Sequence, residues 1–175
     1  MALAIRQKLR FRRDQLGSAR MATYYPPTIA ERVRRGHGRG EVSGYTICVM
    51  EDAPDMFGGE YPGEMRFFTG PLGSEQVAFS YRRMPQHTGG KGSYGHRHRT
   101  QEEIYFVMSG RLEFKLDDEV IEVGPGTAVR VGPNVVRSVW NERPEDAEVL
   151  IFSMRIDDPQ GDVEAVPDFW PTDGN

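Results

Sequence analysis

From residue 44 onward the chain runs in short stretches of alternating apolar and polar positions, separated by Gly and Pro. In the stretch 111–116, Leu112, Phe114 and Leu116 fall on one side of an extended strand and Glu113 and Lys115 on the other. Val129 and Val131 flank Arg130 in the same way, and Gly124-Pro125-Gly126 marks a turn ahead of them. Comparable stretches at 45–50, 64–68, 76–84, 103–108, 119–123, 135–140 and 148–156 bring the expectation to about nine strands with no helical period between them. That pattern predicts an all-β sandwich or barrel. The flanks read differently. In residues 1–20, Ile5 and Leu9 lie four apart with Arg6, Arg10 and Arg13 on another face, the spacing of a short amphipathic helix. That segment reads as a basic arm, an organellar presequence, or an extension ahead of a working start at Met21. Pro26-Pro27 and the glycine-rich run 35–40 mark 21–43 as a linker or wrapping arm, with one short helix at 29–34. Residues 157–175, rich in Asp, Pro and Gly, read as a loop that docks through Phe169 and Trp170. The division is therefore a basic extension over 1–43, a β domain over 44–156 with its motif core at 76–156, and an acidic tail over 157–175.

A chain of 175 residues suits one domain with extensions. The single cysteine, Cys48, lies in an apolar run and reads as a small buried hydrophobe, and it has no intrachain partner for a disulfide. No stretch approaches the roughly 18 apolar residues of a membrane-spanning helix, and no secretory core follows Met1, so a soluble, cytoplasmic protein is expected. The net charge of −4 is uneven: residues 1–40 carry ten Lys/Arg against two Asp/Glu, and residues 41–175 carry twelve against twenty-four. The basic segment could meet nucleic acid, the acidic body or a neighbouring subunit. With little aromatic interleaving and no helix-turn-helix pattern, nucleic acid is not the expected partner.

The chemistry concentrates in residues 90–110. On an extended strand His96 and His98 project from the same side, so both imidazoles can reach one point. Glu103 opens the next strand and shares its face with Tyr105 and Val107, which lets a carboxylate enter the same cavity. Two imidazoles and a carboxylate suit Fe, Mn, Ni, Zn or Cu as a divalent ion. The glycines at 89, 90 and 92 do not make a phosphate-binding loop, because a His-x-His strand follows them in place of a helix N-terminus.

At these residues the sequence resembles the cupin superfamily. Gly90, His96, His98, Glu103 and Gly110 fall at the spacings of its first motif, and Gly126 and Asn141 agree with its second. Gly132 and Asn134 replace that motif's turn Pro and Gly, and Arg137 stands where the family places its last histidine ligand. The resemblance implies a cupin-type jelly-roll β-barrel, a homodimer, and a divalent transition metal on His96, His98 and Glu103. It also implies a small, anionic organic molecule as the binding partner and no membrane. Cupins include dioxygenases, isomerases, decarboxylases and simple binding proteins, so the fold leaves the reaction open. A guanidinium has no lone pair to offer a metal. Two arrangements therefore remain: Arg137 clamps the anionic substrate beside a metal, or Arg137 pairs with Glu103 in a metal-free pocket. Tyr105 is a candidate hydrogen-bond donor to the ligand, and His87 and Gln101 are the candidates for a fourth metal ligand. Arg83 and Arg130 could add positive charge at the pocket mouth, whereas Arg97 and Arg99 should point away from it.

Overall fold

The computed structural model describes residues 44–172, and the amphipathic stretch 1–20 and the helix expected at 29–34 lie outside them. The body from Cys48 onward is a single unit built from eleven strands among the described residues. In chain order these are β1 (Glu64–Phe67), α1 (Thr69–Leu72), β2 (Val77–Met84), β3 (Thr88–Gly89), β4 (Ser93–His98), β5 (Glu103–Ser109) and β6 (Leu112–Leu116). There follow β7 (Glu119–Val123), β8 (Thr127–Val131), β9 (Arg137–Asn141), β10 (Ala147–Met154), α2 (Pro159–Asp162) and β11 (Val163–Trp170). One sheet has the order β1-β2-β10-β5-β8 and the other β11-β4-β9-β6-β7, with β3 added beside β9. All pairs are antiparallel, and the two sheets form the sandwich expected of a jelly roll.

The core lies between the two inner faces. Leu112 and Phe114 from one sheet meet Met84, Tyr105, Val107 and Val149 from the other, with Val123, Val131, Val139 and Ala147 completing the cluster. Leu112, Phe114 and Val107 are fully buried, and each such side chain contributes about 1.5–3 kcal/mol. Asn141, also fully buried, donates from its amide to the carbonyls of Met84 and Glu145 at 2.8 Å each and accepts from the Arg143 N–H at 2.9 Å, which pins the turn between β9 and β10.

Two of the motif glycines have direct steric reasons. A Cβ on Gly110, whose φ is +68°, would meet the Ala147 Cα at 2.6 Å. A Cβ on Gly90 would meet the Ser138 Oγ at 1.9 Å and the Tyr94 carbonyl oxygen at 2.7 Å.

Two expectations are corrected. The strand expected at 45–50 does not form: Met50–Asp52 is a 3₁₀ turn, and Cys48 and Ala53 pack with Phe68 and Tyr81. The tail is not a loop. Residues 163–170 form β11 along the edge of β4, an edge position that tolerates Pro167 because its missing N–H need not face a ladder. The register shifts between Pro167 and Trp170, and Asp168 lies there at φ 53°. Phe169 packs over Gly95 and under the Lys115 ammonium, 4.9 Å from the ring centroid, while Trp170 is buried.

Candidate functional site

β4 lies between β11 and β9, and its period of two puts Tyr94, His96 and His98 on one face. Residues 99–102 then carry the chain across to the other sheet, where β5 presents Glu103 opposite them. The Nε2 of His96 lies 3.8 Å from Glu103 Oε2, and the Nε2 of His98 lies 3.5 Å from Glu103 Oε1. One ligand atom from each of the three side chains falls within 4.8 Å of the others. The imidazoles stand nearly perpendicular, with ring centroids 5.4 Å apart. His98 and Glu103 are mostly shielded, whereas the His96 side chain keeps 31% of its surface exposed, so the cluster opens to solvent on that side.

Register places Arg137 of β9 directly across from His96. Its guanidinium is fully buried and donates to Glu103 Oε2 twice, from Nη2 at 2.7 Å and Nε at 3.0 Å, while Nη1 donates to the Val135 carbonyl at 3.2 Å. The Tyr105 hydroxyl donates to the same Oε2 at 2.5 Å. One oxygen of Glu103 thus carries three hydrogen bonds, and the other faces His98. Burial opposes the charge on Glu103, but the Arg137 guanidinium and the Tyr105 hydroxyl among its partners outweigh it and hold its carboxyl far below the usual range. Burial, reinforced by the negative Glu103, pushes the Tyr105 phenol above its ordinary value.

A residue that the sequence did not single out completes the arrangement. Asp162, at the end of α2, accepts from His98 Nδ1 at 2.9 Å, from the Thr100 hydroxyl at 2.6 Å and from the Thr100 N–H at 2.8 Å. A neutral imidazole whose Nδ1 faces a carboxylate keeps its proton there, which leaves the Nε2 lone pair aimed at the cluster. The available signal was Asp158-Pro159, a helix cap whose side chain accepts from the Gly161 N–H, followed by the alternation of Val163 and Ala165.

The other candidates lie elsewhere. His87 is exposed, 3.5 Å from Glu142, and stacks on Trp140. The Gln101 amide donates to the Met154 carbonyl on β10. Neither joins the cluster. Arg83 points to the outer face and pairs with Glu64 and Asp146, and Arg130 pairs with Glu102, so neither charge serves the pocket. Arg97 points outward to Glu164 as alternation requires. Arg137 and Tyr105, expected at the ligand, are both bonded to Glu103.

The donor set fits a divalent ion. Metal bonds of about 2.1 Å require donor atoms within about 4.2 Å of one another, close to the separations seen. Arg137 cannot ligate, but it engages Oε2 and leaves Oε1 available.

Residues 83–153 match the family model for the cupin domain. The chain carries a cupin domain. This cupin is similar in fold to a sugar phosphate isomerase of the cupin superfamily from Silicibacter pomeroyi, with a TM-score of 0.54 at 15% identity over 73% of this chain and 97% of that one. A predicted oxalate decarboxylase from Thermotoga maritima aligns with a TM-score of 0.52 at 18% identity, over 63% of this chain and all of that one. A Cupin 2 conserved barrel domain protein from Salinispora arenicola gives 0.51 at 15% identity over 66% and 91%. No curated protein sequence matches the chain. At these identities the likeness is one of fold, and the first-motif spacing and this site belong to the same barrel.

Proposed function

We propose that this cupin binds a divalent transition metal on His96, His98 and Glu103 and presents it to a small anionic organic molecule. The observation that carries the reading is the 2.9 Å contact between His98 Nδ1 and Asp162, which sets the tautomer in which Nε2 is a ligand. When bound, the ion would act as a Lewis acid on an oxygen of the organic molecule. The chain's own residues prepare that position. Arg137 and Tyr105 keep Glu103 ionised and hold its Oε2, so that Oε1 faces His98. Asp162 fixes His98, and the exposed edge of His96 leaves the side on which a ligand enters.

A second reading has its own support. Arg137 neutralises Glu103 without any metal, which favours a metal-free binding module. Loading with Co(II) separates the two. The metal reading expects visible d–d absorption that saturates near one equivalent and disappears in His98→Ala. A spectrum indistinguishable from free Co(II) in the wild type favours the metal-free module.

A further inference from the structure

β2 places Ser80, Arg82 and Met84 on its inner face and Tyr81 and Arg83 on its outer one. Met84 belongs to the main core, and Tyr81 packs in the outer cluster with Ala53 and Phe68. Register fixes the position of Arg82 further. It lies opposite Val149, which lies opposite Val107, and the adjoining row runs Ser80, Ile151, Tyr105. Tyr105 is the residue whose hydroxyl holds Glu103. Arg82 therefore belongs to the interior that contains the His96–His98–Glu103 cluster.

Its surroundings are wrong for a structural arginine. The Arg82 Nε is buried without a hydrogen-bond partner, and among the described residues the side chain makes no ion pair. Among the described residues the guanidinium meets the Phe57 ring, with its carbon 5.8 Å from the centroid, and the Tyr105 and Tyr94 phenols act on it electrostatically. The arginines beside it differ: Arg66 and Arg83 both pair with Glu64. Burial disfavours the charge on Arg82. Arg82 is partly buried, but its Nε is cut off from water with no anion beside it, which is costly, and Nε together with an outer nitrogen forms a fork that matches a carboxylate side-on.

We propose that Arg82 is the anchor for the carboxylate of a small organic acid whose other end reaches the histidine cluster. This deepens the reading of the site given above and rests on it only for that other end. Arg137, bonded to Glu103, is replaced in this role by Arg82.

The test is calorimetric titration of benzoate and succinate into the full-length protein and into Arg82→Met, with benzamide as the uncharged control and phenyl phosphate as the other oxyanion. Metal content and melting temperature are measured on the same samples. The expected result is that at least one carboxylate binds the wild type and binds Arg82→Met at least tenfold more weakly, while benzamide binds neither. Arg82→Met keeps its metal content and melts at or above the wild-type temperature, because it loses an uncompensated charge and keeps the apolar stem. Arg82-dependent carboxylate binding in a protein without metal would sink the metal reading and leave this proposal standing. Equal carboxylate affinity in the two proteins, no carboxylate binding at all, binding of phenyl phosphate alone, or a lower melting temperature in Arg82→Met would each overturn it.

Discussion

Replacing Arg137 by Met tests whether the pair with Glu103 is a real electrostatic partnership. The guanidinium is fully buried and Glu103 keeps only 12% of its side-chain surface, so the variant strands a carboxylate that water scarcely reaches. Of the hydrogen bonds on Oε2, two disappear and the one from Tyr105 remains. Removing one partner of a buried pair costs about 3–5 kcal/mol, and for a chain of this size each kcal/mol lowers Tm by about 2–4 °C. The metal-free Arg137→Met protein should therefore melt about 6–20 °C below the wild type in scanning calorimetry. Arg137→Met combined with Glu103→Gln should recover much of that loss, since no charge is left unpaired. Added Mn(II) should raise the melting temperature of Arg137→Met more than that of the wild type, because the cation supplies the missing positive charge. If Arg137→Met melts within a degree or two of the wild type and the double variant is simply additive, the pair is not the electrostatic centre described here.

Three further outcomes follow from the same geometry. Asp162→Asn should weaken metal binding by about 10–100-fold in a competition titration, because the group that orients His98 no longer carries a charge. Gly110→Ala should cost about 1–3 kcal/mol in urea unfolding, because the residue sits at φ +68° and a Cβ there meets the Ala147 backbone. Glu103, although burial works against its charge, is held below the ordinary carboxylate range by its guanidinium and hydroxyl partners, so the unfolded chain takes up a proton first as pH falls. Its contribution to stability is complete above the unfolded value of about 4.3 and is lost as pH falls toward the depressed folded value. The wild-type urea midpoint should accordingly drop more steeply between pH 5 and pH 3 than that of Glu103→Gln.

The strands that alternate cleanly were legible in the chain: 119–123 and 127–131 coincide with β7 and β8, and β5, β6 and β10 differ from their expected ranges by a residue or two. So was the meeting of His96, His98 and Glu103, because a period of two and one short crossing suffice to bring them together. The arginines were harder to read. β2 is covered on both faces, with Met84 packed inside and Tyr81 outside, so apolar alternation could not tell Arg82 from Arg83. β11 was hidden by Pro167 and Asp168, which break a strand pattern yet fit an edge strand with a shifted register. With β11 hidden, Asp162 stayed in a supposed loop, and the contact that sets the His98 tautomer depends on a separation of 64 residues that no local pattern reports.

Metal content by plasma mass spectrometry, on untagged protein purified without chelator, bears most directly on the proposed centre. The account predicts close to one divalent transition metal per chain in the wild type and almost none in His96→Ala/His98→Ala. A wild type with little metal, beside an Arg137→His variant that gains about one per chain, would contradict it: the arginine would then have closed a metal site rather than shaped one.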